Sequence, residues 1–156
     1  MGGRSRRDAD GQAAPRLRVI LVDSSVWIDF LADRTTIQTE ELPRLVAAKQ
    51  NVCSGDLIMT EILQGARDER HAVGLLRRLS EFDSIRIADA RVAVEAARNY
   101  RLLRAKGITI RKTIDTLIAT RCILDGIPLL YSDRDFDPFV EHLGLSLALR
   151  DDTGVN

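Results

Sequence analysis

Rings are scarce in this chain. One Trp, two Tyr and four Phe make 4% of 156 residues, although hydrophobic residues make 45%. Its core must therefore be built mainly from Leu, Ile, Val and Ala, and the length suits one domain with a substantial interior. Cysteine is limited to Cys53 and Cys122, which lie far apart among apolar residues and form no C-x-x-C spacing. The plain reading is two reduced, buried thiols in a cytoplasmic protein. Net charge is absent too: 23 basic and 23 acidic residues cancel. No global basic field advertises a polyanion partner, but an acidic metal site and a basic groove would also cancel in the total. No apolar run approaches the length of a membrane span. Residues 1–17 hold Arg4, Arg6, Arg7 and Arg16 without the apolar stretch of a signal peptide. They are expected to be a disordered extension, with a basic arm for nucleic acid as the other reading, and 151–156 a disordered tail.

What the chain does have is alternation. Arg18 to Val22 reads as a buried strand, followed by a helix from Ser24 or Ser25 through Ala32. A helix over Glu40 to Lys49, a strand over Asn51 to Cys53 and a helix from Asp56 to Gln64 come next. The pattern then predicts a helix over Asp68 to Leu79 and a strand over Ser84 to Ile87. Helices over Asp89 to Lys106 and Thr113 to Leu124 follow. Leu129 to Tyr131 is a strand, Pro138 opens a short helix, and a last strand is expected near Leu145 to Leu149. Strands separated by helices imply an α/β/α sandwich around a mainly parallel sheet. In such sheets ligands bind beyond the carboxyl ends of the strands.

Four acids stand where carboxylates are awkward. Asp23 ends the run Val19-Ile20-Leu21-Val22, and Glu61 interrupts Leu57-Ile58-Met59-Thr60-Glu61-Ile62-Leu63. Asp115 lies inside Ile114-Asp115-Thr116-Leu117-Ile118, and Asp133 closes Leu129-Leu130-Tyr131-Ser132. Each has a structural reading: a helix cap for Asp23, a solvated helix face for Glu61, a first-turn acid favoured by the helix dipole for Asp115. Asp133 belongs to an acidic loop in which Asp137 is read as a cap for the helix opened by Pro138. Taken together they point to convergence. Two carboxylates about 4 Å apart repel by roughly 4 kcal/mol at a protein-surface dielectric, so a cluster of them needs a cation or protons. Neither His nor Cys joins the motifs, and all-oxygen ligation favours Mg²⁺, or Mn²⁺ in its place, over zinc. Such a cation suits phosphodiester hydrolysis.

With these residues in view, the sequence resembles a PIN-domain ribonuclease, and more closely the VapC toxins of bacterial VapBC toxin–antitoxin pairs. The motifs that carry the resemblance are Val22-Asp23-Ser24-Ser25-Val26-Trp27-Ile28, Thr60-Glu61-Ile62-Leu63-Gln64-Gly65, Thr113-Ile114-Asp115-Thr116-Leu117-Ile118-Ala119 and Tyr131-Ser132-Asp133-Arg134-Asp135-Phe136. Each is weak alone; the four in order are specific, and they span about Val19 to Leu149. The resemblance implies a PIN-like domain over 18–150 and a Mg²⁺- or Mn²⁺-dependent endoribonuclease. It implies catalytic acids at Asp23, Glu61, Asp115 and Asp133, with Asp135 a more variable metal ligand. Ser25 and Ser132 match hydroxyls that line such sites. It also implies a homodimer and a VapB-type antitoxin whose tail blocks the groove. The long segment before Val19 departs from the pattern.

RNA contacts must come from local cations. Arg111 and Lys112 are the best candidates for phosphate, because they directly precede the helix of Asp115. A haloacid-dehalogenase phosphatase would need an acid where Ser25 stands, and a receiver domain an acidic pair and a late lysine that are missing. The alternative from another class is a catalytically inactive PIN-fold binding module. Within Trp27-Ile28-Asp29-Phe30-Leu31, apolar side chains exceed what one helix face can bury, so some are expected to meet an antitoxin or a second subunit.

Overall fold

The computed structural model of the chain describes residues 18–149. The extension at 1–17 and the tail at 151–156, both expected to be disordered, lie outside the described residues.

Strand β1 spans Val19–Val22. Its β-branched and leucine side chains are buried on both faces, as a central parallel strand requires. It pairs in parallel with β2, Asn51–Gly55, on one side and with β4, Leu129–Leu130, on the other. Strand β3, Asp83–Ile85, adds to the outer edge of β2, giving the order β3-β2-β1-β4. The sheet is therefore all parallel among these four strands. The strand expected near Leu145 to Leu149 is reduced to one bridge, Leu129 with Leu147, because Gly144 turns the chain at φ 79° only a few residues earlier.

Among the described residues, seven α-helices cover the sheet. One group packs together: α1 (Ser24–Leu31), α2 (Ile37–Ala47), α3 (Asp56–Gln64) and α4 (Glu69–Leu79). The other is α5 (Ala90–Ala105), α6 (Thr113–Asp125) and α7 (Asp137–Leu143). The starts of these helices explain most boundaries. Asp23, not Ser24 or Ser25, caps α1 by accepting from the Ser25 amide. Helix α2 begins earlier than periodicity suggests, because Thr36 and Thr39 form a reciprocal capping box ahead of Glu40. Asp68 and Asp89 cap α4 and α5. Asp137 is the first residue of α7 rather than its cap, and its carboxylate accepts from the Tyr131 hydroxyl at 2.7 Å.

Packing between layers fixes two further positions. A Cβ on Gly55 would meet Ile87 Cδ1 at 2.7 Å, so the end of β2 must be glycine for Ile87 to close over it. Asp56 then ties α3 to the same segment, accepting from the Ile87 amide at 2.9 Å. Trp27, fully buried, stacks edge-on with Phe82 at 4.8 Å. The apolar excess on α1 is thus resolved unevenly: Trp27 is core, Phe30 and Leu31 are half-buried, and Ile28 is 44% exposed.

Candidate metal centre

The sheet order reverses between β1 and β4, since β1 connects onward to β2 on one side while β4 returns on the other. A reversal of this kind opens a crevice at the carboxyl ends of the two strands. Asp23 follows β1 directly and Asp133 comes three residues after β4. The two strand ends are laced together. The Asp23 amide donates to the Leu130 carbonyl at 2.9 Å, and the Ser132 amide donates to Ser25 Oγ at 3.1 Å. Ser25 in turn donates from its hydroxyl to Asp23 Oδ2 at 2.6 Å. Ser25 therefore orients the first acid and pins the second strand end with one oxygen.

Helices bring the remaining acids. Asp115 sits in the first turn of α6, and its side chain shares a region with Asp133 and Asp135, one carboxylate oxygen of each lying within 4.8 Å of the others. Asp133 accepts from the Asp135 amide at 3.0 Å, which turns the loop so that both carboxylates face α6. Glu61 of α3 reaches the same region, held by the Ser24 hydroxyl at 3.3 Å. Asp23 and Glu61 fall outside the tight trio, yet they feel it electrostatically: Asp23 and Asp133 both raise the Glu61 pKa, and Asp23 raises that of Asp115.

Burial and mutual repulsion set the protonation. Asp23 and Asp115 are each 3% exposed. Burial, then the Asp23 charge, pushes the Asp115 carboxyl up to about 7, against a partial correction from Lys112. Burial likewise raises Asp23 and Glu61 above the ordinary carboxylate range. Asp23 Oδ1 and Asp115 Oδ2 are buried with no hydrogen-bond partner among the described residues. Two orphaned carboxylate oxygens beside further acids fit a hard, oxygen-seeking dication better than any other occupant.

The cations stand at the rim. Lys112 Nζ lies 3.7 Å from Asp133 Oδ2, and the acids, Asp115 first, raise its pKa. Arg111 lies 3.4 Å from Asp135 Oδ1 but is 81% exposed, so that pair adds little stability. Ser132 is near the site through its amide, while its hydroxyl, also buried, finds no partner among the described residues. Ser24 is the site residue that the sequence did not single out. The doubled serine after Asp23 was its signal: α1 starts there, so one hydroxyl faces back to Asp23 and the other across to α3. His71 serves a different end, accepting from the Arg67 amide at 3.1 Å at the start of α4.

Comparison with known proteins bears on the family and the fold. The PIN domain family matches residues 20–140. A VapC ribonuclease of Mycobacterium bovis and ribonuclease VapC11 of Mycobacterium tuberculosis are each 33% identical over 133 residues, covering 83% of this chain and 98% of theirs. Among solved structures, VapBC2 of Rickettsia felis bound to a promoter DNA fragment superposes with a TM-score of 0.69 at 17% identity, over 85% of this chain and 99% of that one. VapC20 of Mycobacterium tuberculosis, a sarcin-ricin loop cleaving toxin, superposes with a TM-score of 0.54 at 20% identity, over 76% and 92% of the two chains.

Proposed function

This chain belongs to the PIN domain family and, within it, to the VapC ribonucleases, and on that premise we propose that it is a metal-dependent endoribonuclease, the toxin of a type II toxin–antitoxin pair. The observation that carries the reading is the acid cluster at the β1/β4 crevice, with its two buried, unpartnered carboxylate oxygens. Asp115, Asp133 and Asp135 would hold Mg²⁺, with Mn²⁺ as substitute, and Asp23 and Glu61 complete the charge around it. When bound, the cation polarises a phosphodiester and makes a water acidic enough to attack phosphorus. The protein residues do the rest. Ser25 and Ser24 fix the rotamers of Asp23 and Glu61. Lys112 and Arg111, now spent on Asp133 and Asp135, exchange those partners for RNA phosphates, and Ser132 lines the path. A catalytically inactive PIN-fold module is less favoured, since it would have no need for a complete set of acids around an apolar strand end.

The proposed partners are single-stranded RNA, a VapB-type antitoxin and a second copy of the chain, all in the cytoplasm. No helix of the described residues is long and apolar enough to cross a membrane. Support for an antitoxin comes from a groove of about 480 Å³ between α1, α3 and α4, lined by Ile28, Leu31, Ile62 and Leu75 with Arg67 at its edge. An arginine on the partner would also pair with the acids and displace the cation.

The test is digestion of total RNA by the purified protein with Mg²⁺, Mn²⁺ or EDTA, beside the Asp115→Asn variant. Cleavage by wild type alone, and only with a dication, is expected; equal cleavage in EDTA would remove the mechanism. Coexpression with the neighbouring gene should yield a copurifying complex, whereas a stable, non-toxic lone protein would defeat the toxin–antitoxin part.

A further inference from the structure

Beside the acid cluster, α5 and α6 enclose a second cavity of about 530 Å³. We propose that this groove is a base-binding subsite, taking one unstacked nucleobase of single-stranded RNA next to the scissile phosphodiester; the proposal rests on the ribonuclease reading and adds to it where the RNA lies.

Four observations converge. The first is position. Thr113 and Thr116 line the groove and bracket Asp115 on α6, so the cavity opens within one helical turn of the acids. A chain whose phosphate lay at the acids would run past this face of α6 with a neighbouring nucleotide. The second is shape. On the α5 side Ala93, Ala96 and Ala97 leave the floor without bulk, and the volume is in the range of small-ligand sites. The third is the lining chemistry. Tyr100 presents an aromatic ring, with the Arg104 guanidinium 5.8 Å above its centroid, and Arg101 adds a second cation. Flat π and guanidinium surfaces are what splayed RNA bases stack on, and arginines also hold the adjoining phosphates. Among the described residues no carboxylate lines the groove, which suits an anionic chain.

The fourth observation is an unpaired polar atom in the groove wall. Thr116 is 3% exposed, lines the cavity, and its hydroxyl has no hydrogen-bond partner among the described residues. Buried hydroxyls are rarely left unpaired. A hydroxyl can donate to a base-edge oxygen or ring nitrogen and accept from an exocyclic amine. Stacking on Tyr100 and Arg104 would bind any base, whereas Thr116 reads its edge, so the two parts of the site separate affinity from selectivity.

Two variants test this. Ala97→Leu fills the groove from an exposed helical position, and Thr116→Val removes the hydroxyl while keeping the shape. The measurements are fluorescence anisotropy of short single-stranded RNAs of each base composition with Ca²⁺-loaded protein, and sequencing of ends after Mn²⁺ digestion of total RNA. Mn²⁺ titration and size-exclusion chromatography serve as controls. Ala97→Leu should weaken RNA binding by about tenfold, the effect of losing one stacked base, with Mn²⁺ affinity and elution unchanged. Thr116→Val should alter which base is preferred at one position beside the cut, while folding as well as wild type. Wild-type binding and identical cut sites in both variants would overturn the subsite and leave the ribonuclease reading standing. A smaller species on chromatography of Ala97→Leu would overturn it in favour of a self-association face. Absence of Mn²⁺-dependent cleavage by wild type would remove both readings.

Discussion

Replacing Asp115 with Asn should make the metal-free protein more stable and the enzyme inactive. Folding pushes the Asp115 carboxyl from 3.8 to about 7, chiefly by taking it out of water and secondarily by placing it near the Asp23 charge. A carboxyl that holds its proton more tightly when folded stabilises the fold below its unfolded pKa, and that stability is lost as the pH rises through the folded value. For Asp115 the window runs from 3.8 to about 7. At about 1.4 kcal/mol per pH unit, ionised Asp115 disfavours the metal-free fold by on the order of 4 kcal/mol above that window, falling to less than half near pH 5. The opposing benefit of an acid in the first turn of α6 is about 0.3–1 kcal/mol, too small to reverse the sign. Asp115→Asn should therefore raise metal-free stability by up to about 4 kcal/mol near pH 8, and by clearly less near pH 5. Mn²⁺ should restore the wild type alone, by about 2.7 kcal/mol at a hundred times its dissociation constant. Urea denaturation in EDTA at the two pH values, repeated with Mn²⁺, measures all of this. A variant less stable than wild type in EDTA near pH 8 would show that Asp115 supports the fold, and the metal-site reasoning would be wrong.

Asp23→Asn, Glu61→Gln and Asp133→Asn should each abolish RNA cleavage with unchanged circular dichroism, and Asp135→Asn should lower it less; a variant that still cleaves at the wild-type rate takes its residue off the site. Activity in Mg²⁺ or Mn²⁺ should fall as the pH drops below about 7, because protonation of Asp115 competes with the cation, and Ca²⁺ should bind yet support little turnover. A flat rate–pH profile between about pH 5 and 8 would contradict that competition. Arg121→Ala should lower the urea midpoint, since it leaves the buried Ile87 carbonyl without its donor and loosens the ties to Asp89 and Asp125, while Mn²⁺ affinity stays at the wild-type value. Loss of Mn²⁺ binding in that variant would mean that the Arg121 network reaches the site.

The local pattern of this chain carried the elements and the acids. Strand–helix alternation marked a parallel sheet, and acids placed just beyond Val22 and near Leu130 marked its functional edge, because hydrophobic periodicity and strand-end position are one-dimensional properties. Helix ends were legible where a short polar side chain announces them, as at Asp68 and Asp89. They were missed where the cap is reciprocal, as at Thr36 and Thr39. What required three dimensions was everything that depends on which strand lies beside which. Only the β3-β2-β1-β4 order sets β1 against β4 and makes the crevice in which Asp23 meets Asp133. The same holds for Ser25, whose hydroxyl joins residues more than a hundred positions apart, and for Trp27, buried against Phe82 while its neighbour Ile28 stays exposed. It holds above all for the charges. Lys112 and Arg111 are near Asp115 in sequence, but their pairing with Asp133 and Asp135 and the rise of Asp115 to about 7 come from long-range approach and loss of water. Desolvation and Coulomb repulsion depend on distance in space, and no spacing along the chain encodes that distance.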